Sequence, residues 1–133
     1  MTPTDSPRTS GLLPESIPAD QSPVPKSADW DSADSFAALK DGQLGCEVKP
    51  FKEWLRVSCR GANSSGGTPS AVEAHGCGND VYAFANPRTK LASVVLRVVK
   101  GRTCRSVFSW TDNKKETFVV DWSASPRAQA KFE

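Results

Sequence analysis

The sequence predicts an all-β fold, a small antiparallel β-sandwich with a small β-barrel as the alternative, preceded by a disordered N-terminal tail. Three observations carry this expectation. Six or seven short segments with β patterning follow one another between residues 45 and 122, separated by polar turns. No segment in that span keeps a helical period long enough for a βαβ crossover. The first 30 residues hold six prolines and no sustained apolar period, so they lack the apolar surface needed to offset their ordering entropy.

The division falls at residues 41 and 42. Residues 1–41 read as an acidic Pro/Ser-rich tail or linker, and residues 42–133 as the β domain. The tail carries seven acidic and three basic side chains, and the domain fourteen basic and eight acidic ones. A domain at +6 is compatible with an acidic partner or surface. Its Lys and Arg residues are scattered over the strands rather than clustered, so nucleic acid is not the expected partner. No run of eighteen apolar residues exists, so no membrane span is expected.

Taken in order, residues 34–40 read as one or two helical turns. Phe36 and Leu39 would share a face, Ser32 or Asp34 would cap it, and Gly42 and Gly45 would end it. Residues 46–50 and 54–60 alternate, and they form a hairpin through Phe51, Lys52 and Glu53. Placing Pro50 opposite Leu55 sets Val48 opposite Val57 and Cys46 opposite Cys59. Glu47, Lys49, Arg56 and Ser58 then share the other face. Residues 61–70, with three glycines and no large apolar side chain, read as a mobile loop. Gly66-Gly67 lacks the Lys-Ser/Thr frame of a phosphate loop.

Residues 71–74 form a short strand and 75–80 a turn. In the strand at 81–85, Tyr82 and Phe84 alternate with Val81, Ala83 and Ala85, so one face takes both aromatics, and that face reads as core. Residues 91–100 are the most apolar run and predict a strand buried on much of both sides. After the Gly101 turn come strands at 104–110 and 116–122. Phe118, Val120 and Trp122 share a face that meets Phe108 and Trp110. Residues 123–133 read as an edge or a tail.

The four cysteines, Cys46, Cys59, Cys77 and Cys104, contain no close pair of the kind structural zinc favours. A disulfide framework is expected instead, with no metal and no cofactor. The hairpin register joins Cys46 to Cys59, which leaves Cys77 for Cys104. Disulfides persist in oxidising compartments. The expected location is therefore periplasmic or secreted if a leader precedes Met1, because residues 1–5 are not themselves a signal sequence. The alternative is a cytoplasmic structural or assembly component with free cysteines.

His75 is the only histidine, and no Gly-x-Ser-x-Gly elbow orders a serine and an acid around it. An enzyme built on His75 ranks third. The leading expectation is a non-enzymatic interaction or structural module with a protein partner. Candidate binding residues are Trp54 and Arg56 on the outer face of the first hairpin, since Trp and Arg are favoured at binding hot spots. Arg102 and Arg105 join them from a basic hairpin tip.

Three segments, Glu53-Trp54-Leu55-Arg56-Val57-Ser58-Cys59-Arg60-Gly61, Asp80-Val81-Tyr82-Ala83-Phe84 and Phe108-Ser109-Trp110-Thr111-Asp112, resemble stretches of uncharacterised myxobacterial proteins over roughly residues 45–122. The resemblance implies no activity and no site.

Overall fold

The computed structural model describes residues 10–12, 35–123 and 128–133. Within them the strands are β1 (Ser10–Leu12), β2 (Phe36–Asp41), β3 (Leu44–Phe51), β4 (Trp54–Arg60), β5 (Pro69–His75), β6 (Val81–Asn86), β7 (Leu91–Arg97), β8 (Thr103–Trp110), β9 (Lys115–Asp121) and β10 (Gln129–Phe132). They form two five-stranded antiparallel sheets. The first is ordered β1-β10-β9-β8-β5 and the second β2-β3-β4-β7-β6. Neither sheet closes on itself, so the fold is the sandwich and not the barrel.

The core lies between the sheets because strand side chains alternate. Leu44, Cys46 and Val48 of β3, Leu55, Val57 and Cys59 of β4, and Ala92, Val94 and Leu96 of β7 point inward from the second sheet. Phe108 and Trp110 of β8, Phe118 and Val120 of β9, and Phe132 of β10 meet them from the first. The Phe118 and Phe132 rings sit edge to face with centroids 5.0 Å apart.

The β3–β4 register is the one the alternation predicts. Pro50 faces Leu55, Val48 faces Val57 and Cys46 faces Cys59. Both expected disulfides are present, Cys46–Cys59 and Cys77–Cys104, and no cysteine is free. The first bridges directly opposed residues with Cα atoms 4.0 Å apart, close to the spacing of a non-hydrogen-bonded antiparallel pair. The second ties the β5–β6 connection to β8. Gly76 permits it by taking a φ of +75°, and a side chain there would strike the Thr103 carbonyl. Two disulfides are compatible with an extracytoplasmic module.

Several expectations are corrected. Residues 36–41 are a strand rather than helical turns, so the folded unit begins before residue 42. A bulge between Ala37 and Leu39 lets two consecutive residues, Ala38 and Leu39, both reach the core, and this gives the segment its helix-like apolar spacing. Ser10–Leu12, inside the expected tail, pairs with β10. The rest of the tail expectation, at residues 1–9 and 13–34, lies outside the described residues.

The segment after Gly61 is pinned to its neighbours instead of lying free. Asn63 is buried, and its Oδ1 accepts the backbone N–H groups of Ser65 and Gly67 at 2.9 and 2.8 Å. Its Nδ2 donates to Asp112 at 3.1 Å. Gly67 packs so close to the Asp112 carboxylate that an added Cβ would lie 2.5 Å from it. Strand β7 stops at Arg97, short of residue 100. The C-terminal residues supply a strand of their own, with Ala130 and Phe132 in the core.

Candidate binding face

Strand β6 forms one edge of the second sheet and pairs with β7. Directly opposed residues point to the same side. Val81, Ala83 and Ala85 oppose Leu96, Val94 and Ala92 on the core side of the sheet, where Val81 and Ala85 pack against the core and Ala83 stays exposed at the edge. Tyr82 and Phe84 therefore face outward, at 53% and 54% exposure. The sequence expectation that their shared face is core is wrong. The period of β6 is legible in the sequence, but which face is buried is decided by β7, whose residues 92–96 are buried on both faces.

The outward face of the second sheet can be followed row by row. One row is Phe51, Trp54 and Arg97; the next is Lys49, Arg56, Val95 and Tyr82; the third is Glu47, Ser58, Ser93 and Phe84. Trp54 is buried on this outer face rather than presented to solvent. It forms a small cluster with Val95, against which Phe51 packs. The Trp54 and Tyr82 ring centroids lie 6.5 Å apart. Arg97 lies over the Trp54 ring at 5.1 Å, and Lys52 lies over the Phe51 ring at 5.7 Å. The Ser58 and Ser93 hydroxyls hydrogen-bond to each other at 3.0 Å. An aromatic strip thus crosses four strands, from Phe51 through Trp54 to Tyr82 and Phe84. At a strand spacing of about 4.8 Å it is about 14 Å long.

Charge is divided between the two outer faces. Among the described residues, the strands of the second sheet carry Lys40, Lys49, Arg56, Arg60 and Arg97 outward beside one acid, Glu47. Glu53 and Asp80 approach from the adjoining turns, each 3.6 Å from Arg97. The outer face of the first sheet is balanced. There Arg105, Lys115 and Lys131 stand among Glu73, Asp121 and Glu133. A polar hollow of about 240 Å³ on that face is lined by Thr103, Arg105, Val119, Asp121, Gln129, Lys131 and Glu133.

The expected binding residues do not meet at one place. Trp54 and Arg56 belong to the aromatic face. Arg105 lies on the opposite side of the sandwich. Arg102 is engaged between them, donating to the Cys77 carbonyl at 3.1 Å. His75 is exposed at the end of β5, opposite Arg105. Among the described residues no three His, Cys, Asp or Glu side chains gather in a way that could hold a metal ion, and no helix is long and apolar enough to cross a membrane.

No family model, curated protein or solved structure matches this chain.

Proposed function

We propose that this domain is a non-enzymatic, extracytoplasmic interaction module that binds its partner through the outer face of the second sheet. The observation that carries the reading is the placement of Tyr82 and Phe84. They are the exposed large hydrophobics among the described residues, and they stand side by side on one edge strand. Scattered apolar residues need no explanation, but adjacent aromatic rings continuous with a buried tryptophan mark a contact surface. The two disulfides support a location outside the reducing cytosol.

The test compares three proteins in co-sedimentation with the envelope and extracellular material of the producing cells. They are the wild type, Tyr82→Ala/Phe84→Ala, and Arg105→Ala/Lys131→Ala on the opposite face. Both variants should unfold within about 1 kcal/mol of wild type, because the substituted side chains lie outside the core. Wild type and the opposite-face variant should sediment, and the double-aromatic variant should remain in solution. Equal sedimentation of all three would remove the proposed face.

A further inference from the structure

We infer that β6 is a pairing edge for a second copy of this chain, the two β6 strands lying antiparallel across a two-fold axis at Ala83. The free edge follows from the ladder. The Arg97 N–H donates to the Asp80 carbonyl, so these opposed residues form a hydrogen-bonded pair. Pairs alternate along the strand, and Tyr82, Phe84 and Asn86 therefore turn their backbone groups toward β7. Val81, Ala83 and Ala85 turn theirs to the open side, where none meets a partner among the described residues. A sheet edge is a template for further pairing, and proteins blunt it with short strands, bulges, proline or charge. Among the described residues the other sheet edges are blunted in these ways. Strand β1 has three residues. Strand β2 is bulged between Ala37 and Leu39 and carries Lys40 and Asp41. Strand β5 opens on Pro69, is bulged between Pro69 and Ala71, and carries Glu73. Strand β6 runs for six residues with no bulge, proline or charge.

The strand is complementary to itself. Val81-Tyr82-Ala83-Phe84-Ala85 alternates smaller and aromatic side chains and keeps that pattern when read from either end. With Ala83 opposite Ala83 of the second copy, Val81 faces Ala85 of that copy, and these pairs carry the hydrogen bonds. Tyr82 then faces Phe84 of the second copy in the closer, non-hydrogen-bonded pairs, where cross-strand aromatic side chains meet. A slip of two residues leaves one aromatic pair in place of two and sets a ring against Asp80 or Asn86. Charge fits as well. Antiparallel pairing brings the acidic end of one strand, at Asp80, beside the basic turn of the other, at Arg88 and Lys90. Asp80 is half-exposed despite its contact with Arg97, and both cations are exposed. A strand of an unrelated protein could use the same edge, but it gives no reason for this symmetry. The pairing does not depend on the binding face proposed above. A six-residue strand buries less surface than an obligate dimer interface does, so the dimer is expected to form and dissociate with concentration.

Sedimentation equilibrium of the oxidised full chain over a concentration series, with amide exchange along β6, tests the pairing. Wild type should pass from monomer to dimer and stop there, because a two-fold contact closes on itself. The amides of Val81, Ala83 and Ala85 should exchange more slowly as the dimer forms. Ala83→Pro removes an edge N–H that makes no ladder bond in the monomer. Ala83→Lys sets like charges against each other at the axis. Both variants should stay monomeric, with urea midpoints close to wild type. Tyr82→Ala/Phe84→Ala should raise the dimer dissociation constant about tenfold. Wild type that remains monomeric into the millimolar range overturns the inference, and so does a dimer that survives both Ala83 variants. Protection of the three amides that appears only with envelope material assigns the edge to a strand of another molecule and overturns the self-pairing. Ala83→Pro keeps both rings, which separates the two readings. A monomeric Ala83→Pro that still co-sediments upholds both, whereas wild type that co-sediments without ever dimerising overturns the self-pairing alone.

Discussion

Arg97 stands directly across from Trp54 on the neighbouring strand, and its guanidinium lies 5.1 Å from the centroid of the indole. The same side chain reaches the carboxylates of Glu53 and Asp80, each at 3.6 Å. Glu53 is almost completely buried, as is Trp54. One arginine therefore covers an apolar ring and neutralises a buried acid at once. Among the described residues, Arg97, Phe51 and Tyr82 thus contribute to the cover of a large aromatic side chain on the outer side of a sheet.

Arg97→Ala should therefore destabilise the domain by about 2–3 kcal/mol, since it removes a charge partner of a buried carboxylate and part of the cover of a ring. Arg97→Lys keeps the charge and loses the planar contact, so it should fall between. Urea unfolding followed by tryptophan fluorescence measures both. An unchanged midpoint for Arg97→Ala would show that the contact contributes nothing.

The disulfides set the second expectation. Cys46–Cys59 spans 13 residues and Cys77–Cys104 spans 27. The chain-entropy estimate is about 3 kcal/mol for the first loop and about 3.5 kcal/mol for the second. Small domains hold only about 5–15 kcal/mol in total. Removing either pair as a double Cys→Ala variant should lower stability markedly, the second pair more than the first, and removing both should leave the chain largely unfolded at 37 °C. Denaturation with and without reductant checks this. A reduced protein as stable as the oxidised one contradicts it.

The hairpin register was legible because two constraints agreed. Alternation set Val48 against Val57, and the same register put a cysteine opposite a cysteine. The second disulfide followed once the first was placed. The β2 strand was not legible, because its bulge brings Ala38 and Leu39 to the core together and disguises a period of two. Nor was the exposure of Tyr82 and Phe84. A strand's sequence shows that its faces differ. Here the larger residues face solvent, against the usual rule, because β7 directs Val94 and Leu96 toward the small residues of β6. Asn63 was hidden among glycines and serines, and its partner Asp112 lies 49 residues away. The strand at residues 129–132 carries its own signal in the sequence: Ala128, Ala130 and Phe132 alternate with Gln129, Lys131 and Glu133.

Asn63 supplies the third expectation. Its side chain satisfies two backbone N–H groups and donates to Asp112, all within the segment that leads from β4 to β5. Asn63→Ala leaves those N–H groups without their acceptor, and Gly67 N–H is buried. The loss should be about 2–3 kcal/mol, with faster amide exchange at Ser65 and Gly67. Asn63→Asp retains the acceptor but sets a carboxylate against Asp112, so its deficit should shrink as acid protonates the pair. If exchange at Ser65 and Gly67 stays as slow in Asn63→Ala as in wild type, the loop is held by something other than this side chain.

The last expectation concerns acid. Asp121 accepts the Ser123 hydroxyl at 2.6 Å, the Ser123 backbone N–H at 3.0 Å and the Thr103 hydroxyl at 2.9 Å. These bonds, with the charge of Arg105, hold its carboxyl below the ordinary value of 3.8 despite some desolvation. Asp112 is also held below 3.8. Desolvation pushes it upward, but the hydrogen bonds from the Asn63 side chain and the Lys114 backbone, together with the Lys114 charge, outweigh that. A carboxyl whose pKa is depressed by folding binds its proton more readily in the unfolded chain. Its contribution is therefore present above the unfolded value and is lost as pH falls through 3.8 toward the folded one. Stability should hold as pH drops from about 7 to about 5 and decline below about 4, as far as these two groups are concerned. Asp121 is exposed and Asp112 is partly exposed, so the change from each is modest. Asp112→Asn/Asp121→Asn keeps an oxygen acceptor at each site and removes the titration. Its denaturation midpoint should be lower than wild type at pH 6, with a smaller fall between pH about 5 and about 2.5. Parallel pH profiles for the two proteins would mean that the acid sensitivity comes from other groups.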